Sequence, residues 1–312
     1  MNPRLRPVLF VGALVLGVGG FYVFQSVQAA QKQAEQRSAA IAGAEAILDA
    51  GDASTDPSRV MAKLLELGAE DREAGVLAAR IELLRGRNDR AMERLRPFLD
   101  EDSDADALRA ACAAWLGHAE KGAGDADARR AWIGEAVGFA ERAAVASGLA
   151  SDWFSCWQAA SRAGDAETAG RAAESLKSVD ADSIEARTVA MLTSVQQEGA
   201  ATPSLETVHQ LAVDWGKAPI ELQLLECALL LAQNELQRAI ELADAALAIA
   251  PNRFEARNFA AAAHHSAVLQ SEPGPLRERH ANLRDAQIQW LDANAEADDA
   301  RRPQWLAWRQ VR

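Results

Sequence analysis

Residues 227–252, CALLLAQNELQRAIELADAALAIAPN, decide how this chain folds. The first helix of the stretch is predicted to end near Gln233, and a second helix is predicted over residues 235–249. Pro251 then stops the second helix, because proline has no backbone N–H to donate and its ring clashes with the preceding turn. The stretch therefore predicts two short helices joined by a tight turn.

The second of these helices has a face of small side chains. Ala239, Ala243 and Ala246 recur at spacings of three and four residues, so they lie on one side of the helix. The apolar content of the whole chain also leans on alanine and leucine, both strong helix formers. We find no run of alternating β-branched residues that would predict a strand. The composition indicates an all-α protein.

This stretch resembles one unit of the tetratricopeptide repeat (TPR) family, whose units are about 34 residues long. The resemblance lies in a small residue, a large residue one turn later, a tight turn, three alanines and a closing proline. These are Cys227, Leu230, Asn234–Glu235, Ala239, Ala243, Ala246 and Pro251.

Weaker copies of the same pattern precede it, at residues 79–92 and 157–169. The turn residues Gly86, Gly164 and Asn234 are each separated by roughly two repeat lengths. Less regular helix pairs fill the remaining sequence, and a further helix follows the best unit. They are predicted over residues 41–68, 105–147, 184–218 and 253–270.

The resemblance covers residues 38–270 and implies a right-handed superhelix, a solenoid of antiparallel helix pairs. Each pair exposes an apolar face that only a neighbouring pair can bury, so the pairs must stack. The chain departs from the family pattern where aromatic residues are usual, because alanine or leucine stands at most of those positions. We therefore predict the helix-pair architecture and expect a less regular superhelix.

The first thirty residues contain a candidate membrane anchor. No charged side chain occurs over residues 7–31, and about 20 apolar residues suffice to span a bilayer. Arg4 and Arg6 precede the segment, which favours a cytoplasmic N-terminus over residues 1–6. A cleaved signal peptide is the alternative, with Val27–Ala29 as a small-residue cleavage site. The uncleaved anchor is favoured, because the apolar segment is longer than a usual signal peptide core.

The soluble part is expected to divide into a repeat domain, residues 32–270, and C-terminal capping helices, residues 271–312. Terminal repeats need a cap to cover their apolar face. Trp305 and Trp308, three residues apart, could form that cap. The alternative is that they bind a partner or the membrane interface, since tryptophan is common in both settings.

The sequence also excludes several classes of function. The formal net charge is −12, and an acidic surface repels the phosphates of nucleic acid. The motifs of metalloproteases, serine hydrolases and nucleotide-binding proteins are absent. Cys112, Cys156 and Cys227 are too scattered for a zinc site, and the adjacent His264 and His265 cannot chelate one metal ion. We expect neither catalysis nor a cofactor or metal ion.

A protein-binding surface remains. In a superhelix of this family, the first helix of each pair lines the concave face, so the resemblance implies a groove with seven partner-binding candidates. The two tryptophans are partner-binding candidates outside that groove. Arg80 and Arg162 could receive carboxylates of a peptide, and Phe154 could be an apolar anchor. The alternative is that these residues are simply solvated. The candidates are Arg80, Phe154, Gln158, Arg162, Glu221, Asn258, His265, Trp305 and Trp308.

These observations favour a scaffold that recruits or positions other proteins at the cell envelope. The expected location is a bacterial inner membrane, with a single membrane-spanning helix and a periplasmic soluble domain. A permanent accessory subunit that stabilises or assembles a membrane enzyme complex is the alternative. An enzyme built on a helical solenoid would need a catalytic domain that the sequence does not reveal.

Overall fold

The computed structural model describes residues 28, 30–51, 57–68, 70–101, 103–121, 126–196, 201–295 and 299–311. Every regular element in these ranges is a helix, which confirms the all-α prediction. The chain divides into two compact units, Met1–Ser103 and Asp104–Arg312. The repeat domain predicted over residues 32–270 spans parts of both units.

The described residues of unit 1 form four helices and a short 3₁₀ turn. They are α1 (30–50), α2 (Ser58–Glu66), α3 (Arg72–Leu84) and α4 (Asn88–Leu95), followed by the turn Arg96–Phe98. The helices α1, α2 and α3 share one core of alanine and aliphatic side chains. Arg37 of α1 also donates to Asp71 at 2.7 Å, and Asp71 accepts from the backbone N of Ala74 as the N-cap of α3.

Unit 2 contains eleven helices in its described residues. They are α5 (Ala105–Lys121), α6 (Ala126–Ser147), α7 (Ala150–Ala163), α8 (Ala166–Asp180), α9 (Ile184–Gln196), α10 (Leu205–Trp215), α11 (Ile220–Ala232), α12 (Leu236–Ile249), α13 (Phe254–Gln270), α14 (Pro275–Asn294) and α15 (Arg302–Gln310). Each helix packs against the next one along the chain. The odd-numbered helices from α5 to α13 also contact one another in succession. Unit 2 is therefore a series of packed helix pairs whose first helices lie side by side.

The turn residues singled out in the sequence share one backbone conformation. Gly86, Gly164 and Asn234 have φ angles of 66°, 70° and 63°, in the left-handed region. Glycine adopts this region without a Cβ clash, and asparagine is one of the few other residues that does so. The same helix–turn–helix link thus recurs after α3, α7 and α11.

The predicted alanine face of α12 lies in the core. Ala239 and Ala243 are fully buried against Cys227 and Leu230 of α11 and against α13. Small side chains let helix axes approach closely, which explains how alanine can stand where larger residues are usual. The prediction for residues 227–252 is confirmed, because α11 ends before Gln233 and α12 ends at Ile249.

The C-terminal helix α15 covers the last helix pair. Trp305 is fully buried and packs with Ala261 of α13 and with Ile288 and Leu291 of α14. The guanidinium of Arg284, also fully buried, donates from Nη1 to the carbonyl oxygen of Val311 at 2.7 Å. The hydrogen bond ties Val311, the residue after α15, to α14.

Most of the predicted N-terminal segment lies outside the described residues. Residues 1–27 and residue 29 are in this position, so residues 1–6, nearly all of the anchor over residues 7–31 and two of the three residues of the alternative cleavage site, Val27 and Ala29, are not described. Among the helices that the structure does describe, none is both long enough and apolar enough to cross a membrane.

Candidate functional site

Three of the predicted partner-binding residues contact one another in unit 2. Gln158 on α7 donates from Nε2 to Oε2 of Glu221 on α11 at 2.8 Å. Arg162, one turn further along α7, donates to Oε1 of the same carboxylate at 3.5 Å. The side chains of the first helices of two pairs therefore converge on Glu221.

Two residues that the sequence did not single out complete this cluster. Glu120 on α5 accepts from Nη1 of Arg162 at 3.2 Å, and Arg253 at the start of α13 donates from Nη1 to Glu221 at 2.8 Å. The cluster thus crosses α5, α7, α11 and the start of α13. We call it the cross-helix network, and its members are Glu120, Gln158, Arg162, Glu221 and Arg253.

The network keeps its charged groups ionised although they are largely buried. The side chains of Glu221 and Arg253 are only 14% and 9% exposed. Burial acts to raise the pKa of Glu221, but Arg253 and Arg162 outweigh it, so the pKa lies below its ordinary value. Burial acts to lower the pKa of Arg253, and the carboxylates of Glu221 and Glu255 outweigh it.

Arg162 is therefore not an unoccupied receiver of a partner's carboxylate. Its two terminal nitrogens already face Glu120 and Glu221. Three carboxylates, those of Glu120, Glu221 and Glu255, share the guanidinium groups of Arg162 and Arg253. The network links the first helices to one another and holds their spacing.

A groove of about 260 Å³ lies beside the network, between α5–α7 and the region from α13 to α14. Its walls combine apolar side chains with charged side chains of both signs. The apolar ones include Leu116, Ile133, Phe254 and Trp290, and the charged ones include Glu120, Arg129, Arg162 and Arg253. The guanidinium of Arg257 stacks over the Trp290 ring at 4.6 Å, which fixes that wall.

Phe154 lies in the core instead of the groove. Its side chain is 5% exposed, and its ring contacts Trp157 of the same helix and Trp215 of α10. The ring centroids of Phe154 and Trp215 are 5.3 Å apart. The residue therefore stabilises the packing of α7 against the following pair.

Asn258 and His265 lie beneath the C-terminal helix. Trp305 donates from Nε1 to Oδ1 of Asn258 at 2.9 Å, and Trp308 stacks on His265 with ring centroids 5.1 Å apart. Burial, followed by the charge of Arg284, lowers the pKa of His265. Four of the predicted residues thus form two contacting pairs, Asn258 with Trp305 and His265 with Trp308, in line with the interpretation of the tryptophans as a cap.

Arg80 is exposed on α3 in unit 1. The remaining eight predicted residues belong to unit 2, where the structure brings them into three places: the cross-helix network, the core around Phe154 and the cap. Glu120 and Arg253 carry no local signal that distinguishes them, because their partners lie 42 and 32 positions away.

The cysteines do not form a reactive site. All three are free and buried. Burial raises the pKa of Cys112 to about 11 and that of Cys156 and Cys227 to about 12, so the thiols stay protonated near neutral pH. Within the described ranges, no group of three or more histidine, cysteine or acidic side chains is arranged to hold a metal ion.

Comparison with protein-family models finds no match for this chain, and comparison with curated proteins finds none either.

Proposed function

We propose that this protein is a membrane-anchored scaffold whose helix pairs bind segments of other proteins at the cell envelope. The anchor is the uncharged segment of residues 7–31, and the helices that follow it are periplasmic. In this proposal unit 2 belongs to a TPR-like, right-handed solenoid. The recurrent left-handed turn residues and the side-by-side first helices support it.

The observation that carries the proposal is the groove between α5–α7 and α13–α14. Grooves that bind extended peptides combine apolar contacts with a few fixed polar groups. Leu116, Ile133 and Trp290 supply the apolar contacts here. The cross-helix network supplies polar groups that are already paired with one another, so binding does not have to order them.

Arg129 is the groove side chain that we expect to meet a partner's carboxylate. It lies on α6, is half-buried and lines the groove. This role replaces the one predicted for Arg162, whose nitrogens are occupied by Glu120 and Glu221. The proposed partner is therefore an extended segment with apolar side chains and at least one acidic residue.

The test is affinity purification of the tagged, full-length chain from its native membrane, followed by mass spectrometry. The test variant is Arg129→Glu, and the matched control is Arg238→Glu, which changes an exposed arginine of α12 that pairs with Glu235. The scaffold predicts that Arg129→Glu loses a set of envelope proteins that Arg238→Glu retains. Equal recovery of these proteins by both variants would contradict partner binding in the groove. Recovery of no partner by the unaltered chain would contradict the proposed scaffold function.

The same experiment distinguishes the accessory-subunit alternative. A permanent subunit would co-purify in stoichiometric amount with one membrane complex after detergent extraction. A scaffold would return substoichiometric partners, because single-groove contacts with peptide segments exchange readily.

A further inference from the structure

Three side chains from successive helices meet outside the groove. His264 on α13 is almost fully buried, and its Nδ1 lies 3.1 Å from Nδ1 of His280 on α14. Its other ring nitrogen, Nε2, lies 3.2 Å from Oδ1 of Asp244 on α12. The rings of the two histidines are 5.3 Å apart between centroids and inclined by 33°.

The contacts decide which nitrogen of His264 can bind a ligand. A carboxylate can only accept, so Nε2 of His264 carries the hydrogen that points to Asp244. In the neutral imidazole, Nδ1 then bears a lone pair, and this lone pair faces Nδ1 of His280.

The separation of the two Nδ1 atoms suits a shared ion. Nitrogen ligands lie about 2.0–2.1 Å from a bound Zn²⁺, so two of them 3.1 Å apart subtend roughly 100° at the metal. Asp244 also occupies the place where metal-binding histidines donate their second N–H to a carboxylate. Without metal, a hydrogen on Nδ1 of His280 fills the gap, and it moves to Nε2 of that ring when metal binds.

We propose that His264 and His280 bind one divalent transition-metal ion, with Asp244 orienting His264 from behind. Imidazole ligands suit Zn²⁺, Ni²⁺ and Cu²⁺. With two protein ligands the remaining coordination positions are open to water, so the ion exchanges more readily than in a closed structural site. His264 is almost fully buried, whereas His280 is partly exposed.

The surrounding charges set the strength of this site. Asp244 attracts a cation, whereas Arg279 on α14 opposes one. The neighbouring His265 does not contribute, because its ring stacks on Trp308. The adjacent histidines that the sequence presents as a pair therefore belong to different environments, and the partner of His264 comes from the next helix.

The test is a calorimetric titration of the metal-free, full-length protein in detergent with Zn²⁺, Ni²⁺ or Cu²⁺. We expect one ion per chain, bound most tightly for Cu²⁺. The variant His280→Gln should abolish binding, and Asp244→Asn should weaken it about 10- to 100-fold. The matched control is His209→Gln, because His209 also contacts a carboxylate, that of Glu226 at 2.7 Å. This variant should leave metal binding unchanged.

A second readout assigns the site directly. Paramagnetic Ni²⁺ or Cu²⁺ should broaden the ring signals of His264 and His280 in NMR spectra and spare those of His118 and His209. Circular dichroism of the metal-free variants checks that each one folds. No binding by the folded, unaltered chain, unchanged binding by His280→Gln, or loss of binding in His209→Gln would each overturn the proposal.

Discussion

Arg253, the N-cap residue of α13, donates from Nη1 to Oε1 of Glu221 on α11 at 2.8 Å, although the two residues are 32 positions apart. Both side chains are largely buried, and Glu221 also receives hydrogen bonds from Gln158 and Arg162. This carboxylate is the point where α7, α11 and α13 are joined. Loss of this carboxylate should therefore weaken the packing of all three helices.

Removing the charge of Glu221 should strongly destabilise the protein. In Glu221→Gln the guanidinium of Arg253, whose side chain is 9% exposed, keeps its charge but loses its main partner. Removing one member of a buried ion pair leaves the other charge buried without its partner, which costs about 3–5 kcal/mol. We expect the free energy of unfolding, measured in urea, to fall by about this amount. The exposed pair Glu235–Arg238 is the control, where Glu235→Gln should change it by less than about 0.5 kcal/mol. Equal losses in the two variants would contradict this account.

The protein should lose stability in acid in part through Asp152. Arg109 donates to both oxygens of this carboxylate, at 2.7 and 2.6 Å, and Ser147 also donates to it. Burial acts to raise the pKa of Asp152, but the hydrogen bonds from Arg109 and Ser147 and the charge of Arg109 lower it by more. The pKa in the folded protein therefore lies below the unfolded value of about 3.9.

A lowered folded pKa stabilises the protein above the unfolded pKa, and the contribution disappears as the pH falls through the folded pKa. Asp152→Asn should therefore lower the melting temperature at pH 7 and flatten its decline below about pH 4. Melting curves of both proteins over this pH range provide the measurement. Parallel curves would show that Asp152 is not a source of the acid sensitivity.

Trp305 should be essential for the C-terminal cap. Its side chain is fully buried between α13 and α14, so Trp305→Ala should lower the free energy of unfolding by about 3–5 kcal/mol. Leu306→Ala is the control on the same helix, since Leu306 is 48% exposed and should lose much less. Denaturant unfolding followed by circular dichroism measures both. A small loss in Trp305→Ala would show that α15 is only loosely attached.

Two glycine-to-alanine substitutions should have opposite effects. A Cβ at Gly75 of α3 would overlap the ring of Phe98, so Gly75→Ala should cost about 1–3 kcal/mol. At Gly138 of α6 a Cβ would meet open space, and Gly138→Ala should stabilise the helix by about 0.5–1 kcal/mol. Thermal unfolding of the two variants gives the comparison. Stabilisation by Gly75→Ala would show that Phe98 can move away without loss.

The helices and their turns could be predicted from the sequence because they depend on residues that are close along the chain. Glycine and asparagine can adopt a left-handed backbone conformation in any sequence context, and Gly86, Gly164 and Asn234 adopt it in the structure. Pro251 ends α12 for an equally local reason. The sequence also predicts Trp305 and Trp308 as cap candidates, because terminal repeats need a cap to cover their apolar face.

The contacts of individual side chains between distant helices could not be predicted from the sequence. The sequence suggests that Arg162 receives a carboxylate from another protein, but in the structure it pairs with Glu120 and Glu221 of its own chain. The sequence suggests that Phe154 lies on the groove surface, but in the structure its side chain is buried against Trp215. Which side of a helix faces its neighbour depends on crossing angle and register, and these follow from the packing of many side chains at once.

For this protein, local rules account for the all-helical content, the positions of the recurrent turns and the small face of α12. The rules are backbone preferences and hydrogen bonds four residues apart, so a short stretch of sequence contains all the groups involved. The convergence on Glu221 and the meeting of His264 with His280 exist only because helices distant in the sequence pack together. Such contacts have no local signature, since their energy depends on burial and on neighbours that the folded chain alone supplies.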